Sequence, residues 1–137
     1  MKIVIKAALL GFMLSLAVSC ALKTIPPEQQ YRQAIIAAPF SETYKLIRPC
    51  LIKFNYTIVD MDITVGAIKA VSKRNKDKFL MVTVSAADSD KSNVKLKLDV
   101  RKHSMTGEYK RVPVPEKYMQ ELDGILDEIK RRASLIK

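Results

Sequence analysis

Between Val94 and Arg101 apolar and charged side chains alternate without a break: Val94, Leu96, Leu98 and Val100 interleave with Lys95, Lys97, Asp99 and Arg101. A strand turns successive side chains to opposite faces, so this run predicts an antiparallel strand buried on one side and wet on the other. Slipping it by one residue would put the four charges in the core, which fixes its register. Three runs before it carry the same period-two signature: Tyr56 to Met61, Ala67 to Ser72 and Phe79 to Ala86. Between them lie turn-forming segments, Asp62 to Gly66, the charged hairpin loop Lys73 to Lys78, and Asp88-Ser89-Asp90. A further apolar run, Gln33 to Ala38, stops at Pro39 and is expected to be a first strand.

Two stretches follow the helical period instead. Phe40, Tyr44, Ile47, Leu51 and Phe54 recur at spacings of four and three, with Ser41 as the expected N-cap and Asn55 as a left-handed C-cap. Pro49 falls inside this pattern, so the helix is expected to bend there or to break at Arg48. The second stripe, Tyr118, Leu122, Ile125, Ile129 and Ile136, follows Pro115 and spans Glu116 to Lys137. Its early acids Glu116, Glu121 and Asp123 and late bases Lys130, Arg131 and Arg132 suit the helix dipole, while Gly124 costs about 1 kcal/mol relative to alanine. The segment His103 to Val114 has no sustained period and reads as a long loop with room for a short extra strand.

The order strand, helix, four strands, helix places two amphipathic helices against one sheet with a single apolar face. They satisfy each other by packing the helices together on that face. The expected fold is therefore α+β, a two-layer sandwich of an antiparallel four- to five-stranded sheet and two helices, formed by residues 31–137 as a single domain.

The N-terminus has a different character. Lys2 and Lys6 precede an uncharged apolar run from Ala7 to Val18, and Ser19 stands just before Cys20. This is the layout of a secretory signal peptide, residues 1–19, and Leu16-Ala17-Val18-Ser19-Cys20 resembles the lipobox of bacterial lipoproteins, in which the cysteine is lipidated and becomes the first residue. The uncharged run is shorter than the about 20 residues a membrane-spanning helix needs, so an uncleaved anchor is the weaker reading. Two or three acyl chains on Cys20 would hold the protein stably on a membrane. In that family an Asp after the cysteine marks inner-membrane retention; Ala21 stands here, which points to the outer membrane, facing the periplasm. Pro26-Pro27 and Glu28-Gln29-Gln30 make residues 20–30 the expected lipidated cysteine and tether, reaching about 33 Å if extended.

Charge narrows the partners. The formal net charge is +10, of which the leader supplies Lys2 and Lys6. Lys95, Lys97 and Arg101 share the wet face of the alternating strand, and Lys73, Arg74, Lys76 and Lys78 crowd the neighbouring loop, so these seven form a candidate anion-binding patch. Lipid headgroups, lipopolysaccharide, cell wall and acidic proteins are the anions such a patch meets at an envelope. Aromatic side chains interleaved for stacking on single-stranded nucleic acid are missing from these strands, which argues against that partner.

The string Phe54-Asn55-Tyr56-Thr57-Ile58-Val59-Asp60-Met61-Asp62, continued by Gly66-Ala67-Ile68-Lys69-Ala70, resembles the helix, cap, strand, Asp-rich turn and next strand of BamC domains and related small bacterial lipoproteins. The resemblance spans roughly Pro39 to Ser72. It implies a helix-grip-like fold and a role in binding other envelope proteins.

Catalytic chemistry finds little support. His103 is the sole histidine and sits in a basic loop without the carboxylate a Ser-His-acid triad requires. One His and one spare Cys leave a zinc site without ligands, so no metal or cofactor is expected beyond the lipid on Cys20. Asp88 to Asn93 mimics half a calcium loop but lacks its glycine and contains Lys91, and Asp60 with Asp62 reads as an ordinary turn. Cys50 lies on the apolar side of the first helix as a small buried hydrophobe; its rival reading is a Cys20–Cys50 bridge in an unlipidated form. The expectation is a non-enzymatic, membrane-anchored envelope lipoprotein that binds a protein partner and no small-molecule substrate. The alternative is a polyanion binder acting through the basic patch.

Overall fold

The alternating run becomes the spine of the sheet. In the computed structural model, which describes residues 24–136, it is strand β6 (Ser92–His103). The earlier strands are β1 (Thr24–Ile25), β2 (Tyr31–Ile36), β3 (Tyr56–Asp62), β4 (Ala67–Ser72) and β5 (Lys78–Ala86), and two short ones follow, β7 (Tyr109–Arg111) and β8 (Val114–Pro115). The main sheet is antiparallel in the order β2-β6-β5-β4-β3, with β7 added along the far half of β6, and β1 pairs with β8 in a separate two-stranded ribbon. Helices α1 (Phe40–Lys53) and α2 (Glu116–Ser134) cover one face, giving the α+β fold, with one more strand in the main sheet than the upper expectation.

The core lies between the helices and the inner face of the sheet. Leu96, Leu98, Leu80, Val82 and Ile68 meet Ile47, Leu51, Leu122, Ile125 and Ile129, all essentially without solvent exposure. Burying side chains of this size contributes about 1.5–3 kcal/mol each. Gly66 closes the β3–β4 turn at φ +68°, and a Cβ there would stand 2.1 Å from the Val84 carbonyl oxygen. Only glycine fits. Gly124 answers a second close approach: the Phe54 ring packs where the helix passes, 3.3 Å from the place a Cβ would take.

Helix α1 departs from the expected start. It opens at Phe40 with Pro39 as its cap, and Ser41 is an exposed helical residue. The corner is held from behind: the Ala38 carbonyl accepts hydrogen bonds from Thr43 Oγ1 (3.1 Å) and Ser92 Oγ (2.7 Å), both buried. The helix runs through Pro49 as one element and does not break at Arg48, because Ile47, Cys50 and Leu51 are buried on either side of the proline. Asn55 has the left-handed φ of +64° expected of it. At the other end, α2 stops at Ser134, so Ile136 is not part of the buried stripe and is 38% exposed.

Residues Thr24–Gln30 are not the free tether that the sequence suggested. Thr24 and Ile25 pair with Pro115 and Val114, and Pro27–Gln29 forms a 3₁₀ turn. Gln30 is fully buried and its amide donates to the carbonyls of Ile25 (3.0 Å) and Val112 (2.8 Å). Arg111 donates to the carbonyls of Pro27 and Leu98, 3.0 Å each. These side chains tie backbone carbonyls of distant segments together. Thr24–Gln30 therefore belong to the folded body, and the first main strand is Tyr31–Ile36 instead of Gln33 to Ala38. Cys20, the signal-peptide residues 1–19 and residues 21–23 lie outside the described residues.

Candidate functional site

The outer face of the sheet is open to solvent, and the register sets its composition. One row across it reads Tyr31, Lys97, Met81, Lys69, Asp60, and the next reads Gln33, Lys95, Thr83, Ala67, Asp62. Lys95 and Lys97 are exposed, Lys69, Met81 and Phe79 half-buried. The ammonium of Lys95 lies 4.7 Å from the centre of the Tyr31 ring and that of Lys69 lies 4.9 Å from the Phe79 ring. Cation–π contacts of this kind hold a lysine upright over an aromatic surface while leaving its charge available. No carboxylate pairs with Lys69, Lys95 or Lys97 among the described residues.

The seven predicted patch residues do not form one surface. Lys95 and Lys97 are on the outer face as expected. Arg101 lies farther along β6, where Asp99 holds its guanidinium at 2.8 Å and raises its pKa further. Lys73, Arg74 and Lys76 are exposed in the β4–β5 turn at the end of the sheet. Lys78 is a correction. It is the first residue of β5, in register with the buried Val100, and only 5% exposed. Leu80, Val82 and Val84 point inward from the same strand, so the period-two pattern puts Lys78 inward too. Lys69 is the residue that sequence reasoning missed. Its signal was there, since Ile68 and Ala70 flank it as inward positions.

Lys78 has a dedicated environment. Its ammonium bridges both oxygens of Glu121 (2.9 and 3.1 Å) and sits 4.2 Å from the Tyr118 ring centre. Tyr56, 1% exposed, donates its hydroxyl to the same carboxylate at 2.5 Å. Burial, and then the hydrogen bond to Glu121, raise the Tyr56 pKa far above its ordinary value, so the phenol keeps its proton. With both partners saturating Glu121, the cluster is a structural lock beneath an open cleft of about 580 Å³ that includes Arg74, Asn75 and Lys117 in its lining. A second lock joins the helices: Glu128 receives Lys53 (3.2 Å), Arg131 (2.7 Å) and Arg132 (2.9 Å), and the two arginines hold its carboxyl well below the usual range.

The other candidates have local explanations. His103 has its Nδ1 3.2 Å from the Gly107 carbonyl and its ring 3.8 Å from the Tyr109 ring. Asp62 accepts from the Thr64 amide and hydroxyl within its turn, which lowers its pKa. The Ala87 and Asp88 amides both donate to Lys91 O, closing a hairpin turn. Cys50 is fully buried and free, its thiol pushed up by burial. Among the described residues no three His, Cys, Asp or Glu side chains gather in a metal-binding arrangement, and no helix is long and apolar enough to cross a membrane. No protein-family model matches the chain, and no curated protein sequence matches it.

Proposed function

We propose that this chain is a lipid-anchored envelope lipoprotein that acts as a non-catalytic binding module, receiving an acidic partner protein on the open face of its sheet. The single observation that carries this reading is the row of Tyr31, Lys97, Met81 and Lys69. It joins unpaired cations to half-buried apolar area on a rigid, solvent-facing sheet. Interfaces favour that combination, since aromatic and Met side chains supply contact area while charges steer and align the partner. The Cys20 motif and the leader before it supply the anchor, and Ala21 after the cysteine favours the outer membrane. The likeness of residues 54–70 to BamC domains supports binding over catalysis.

The test is site-specific photocrosslinking in intact cells from position 81 of the full chain. The expected result is one discrete protein adduct, lost with Lys69→Glu plus Lys97→Glu and retained with Lys130→Glu on the helical side. Adducts to lipid or cell wall in place of protein, or an adduct indifferent to both charge reversals, would overturn the reading.

A further inference from the structure

The hairpin formed by β6 and β7 leaves the body of the protein. β2 begins opposite Lys97, yet β6 runs on to His103 and turns back as β7, and Arg101 to Lys110 are exposed apart from the partly covered Ser104. Met105 at the tip is fully exposed and Tyr109 is 53% exposed. Lys102 and Lys110 face each other across the hairpin, with Glu108 3.8 Å from Lys110 as the one acid on the arm. The tip is held in shape: the Ser104 amide donates to Glu108 O (2.8 Å), the Gly107 amide to Ser104 O (2.9 Å), and the His103 and Tyr109 rings pack together. Met105, fully exposed at the tip of this basic arm, has no partner among the described residues.

Its position supplies the occupant. β8 follows β7 by two residues and pairs with Thr24–Ile25, so the chain enters the fold at the base of this arm. Cys20 precedes Thr24 by only four residues, which span at most about 14 Å. From Arg101 to the end of β6 at His103 the arm extends about 7 Å at the rise of a strand, and Met105 lies in the turn beyond. A span of four residues is long enough to let both meet one surface. The same end carries Lys73, Arg74 and Lys76 in the β4–β5 turn, tied to the arm by the Arg101 amide on Asp77 O, and Lys117 in the first turn of α2. None of these four has a carboxylate partner among the described residues. The opposite end carries Asp62 as the last residue of β3 and Asp88 and Asp90 in the β5–β6 turn, with Lys91 beside them.

We infer that the β6–β7 hairpin is a second membrane contact, placing Met105 and Tyr109 among the headgroups of an anionic phospholipid bilayer while Lys102 and Lys110 meet lipid phosphates. This rests on the lipid-anchor reading. The arm fixes the orientation that a lipid anchor alone would leave free, and so holds the open sheet face sideways to the membrane. A few basic residues near an anionic surface attract it only modestly, which suits a contact that orients but does not anchor.

The chain has no Trp, so single reporters can be read without background. The native full-length protein with Met105→Trp, or with Val65→Trp in the β3–β4 turn, is reconstituted into vesicles of phosphatidylcholine with or without phosphatidylglycerol. The expected result is blue-shifted emission and quenching by brominated lipid for Met105→Trp in phosphatidylglycerol vesicles, reduced by Lys102→Glu plus Lys110→Glu, and neither signal for Val65→Trp. Protein that floats with vesicles but leaves the Met105→Trp reporter unquenched overturns this inference and leaves the anchor standing. Equal quenching without phosphatidylglycerol, or quenching at Val65→Trp, also overturns it. Protein that does not float and whose mass shows an unmodified Cys20 overturns both readings.

Discussion

Lys78 and Lys97 are residues of one type on neighbouring strands, and the sheet gives them opposite work. Lys78 faces inward, enclosed by Tyr118, Tyr56 and Glu121, with its charge spent inside the molecule. Lys97 faces outward between Tyr31 and Met81 with its charge unspent. A buried ion pair is expensive to break and adds little to recognition, whereas an exposed unpaired cation adds almost nothing to folding and is free for a ligand. The difference is one of strand parity, not of chemistry. It separates the residues that hold this fold from those available to a partner.

Adjacent residues of β6 separate the two roles by the widest margin. Leu98→Ala should cost about 3–4 kcal/mol in urea unfolding, because the side chain is fully buried in the core. Its neighbour, Lys97→Ala, should leave stability within about 0.5 kcal/mol. Next in size, Glu121→Ala strands the Lys78 charge and the Tyr56 hydroxyl, and should cost about 2–3 kcal/mol; Lys78→Met combined with Glu121→Leu should recover most of it. If the single and double variants unfold at the same midpoint, the cluster is not the lock described.

Acid sharpens the contrast between paired and unpaired charges. The Glu128 carboxyl titrates lower in the folded protein than its ordinary 4.5, so its contribution is present above that value and is lost as pH falls below it. Glu128→Gln should flatten the decline in stability below about pH 4.5. The smallest expected effect on folding is on the outer face. Lys95→Glu with Lys97→Glu should unfold with an unchanged midpoint while abolishing partner capture, so a fold defect in this variant would contradict the assignment of these side chains to binding.

Local pattern carried much of this architecture. The alternation from Val94 to Arg101 set the central strand, its register and its two faces, and the four-three spacing from Phe40 to Phe54 set α1 despite Pro49. The charge of Lys78 argues for the loop, while the parity of Leu80, Val82 and Val84 on the same strand already turns it inward. Lys69 was overlooked for the mirror reason: it lies alone in an apolar run, and its neighbours on the outer face come from other strands. Thr24–Gln30 escaped because their partners are Val112 to Pro115, far away in the chain, and no local period announces a glutamine amide that stands in for a strand. Long-range pairing of that kind has no signature in a window of ten residues.

The proposed lipid anchor would decide which surfaces meet a membrane, and intact mass of the protein purified from cell membranes is its test. The expected mass is that of a chain starting at Cys20, with residues 1–19 absent and acyl chains on that residue. A mass corresponding to an unmodified cysteine, or to a chain that still carries the leader, would contradict it.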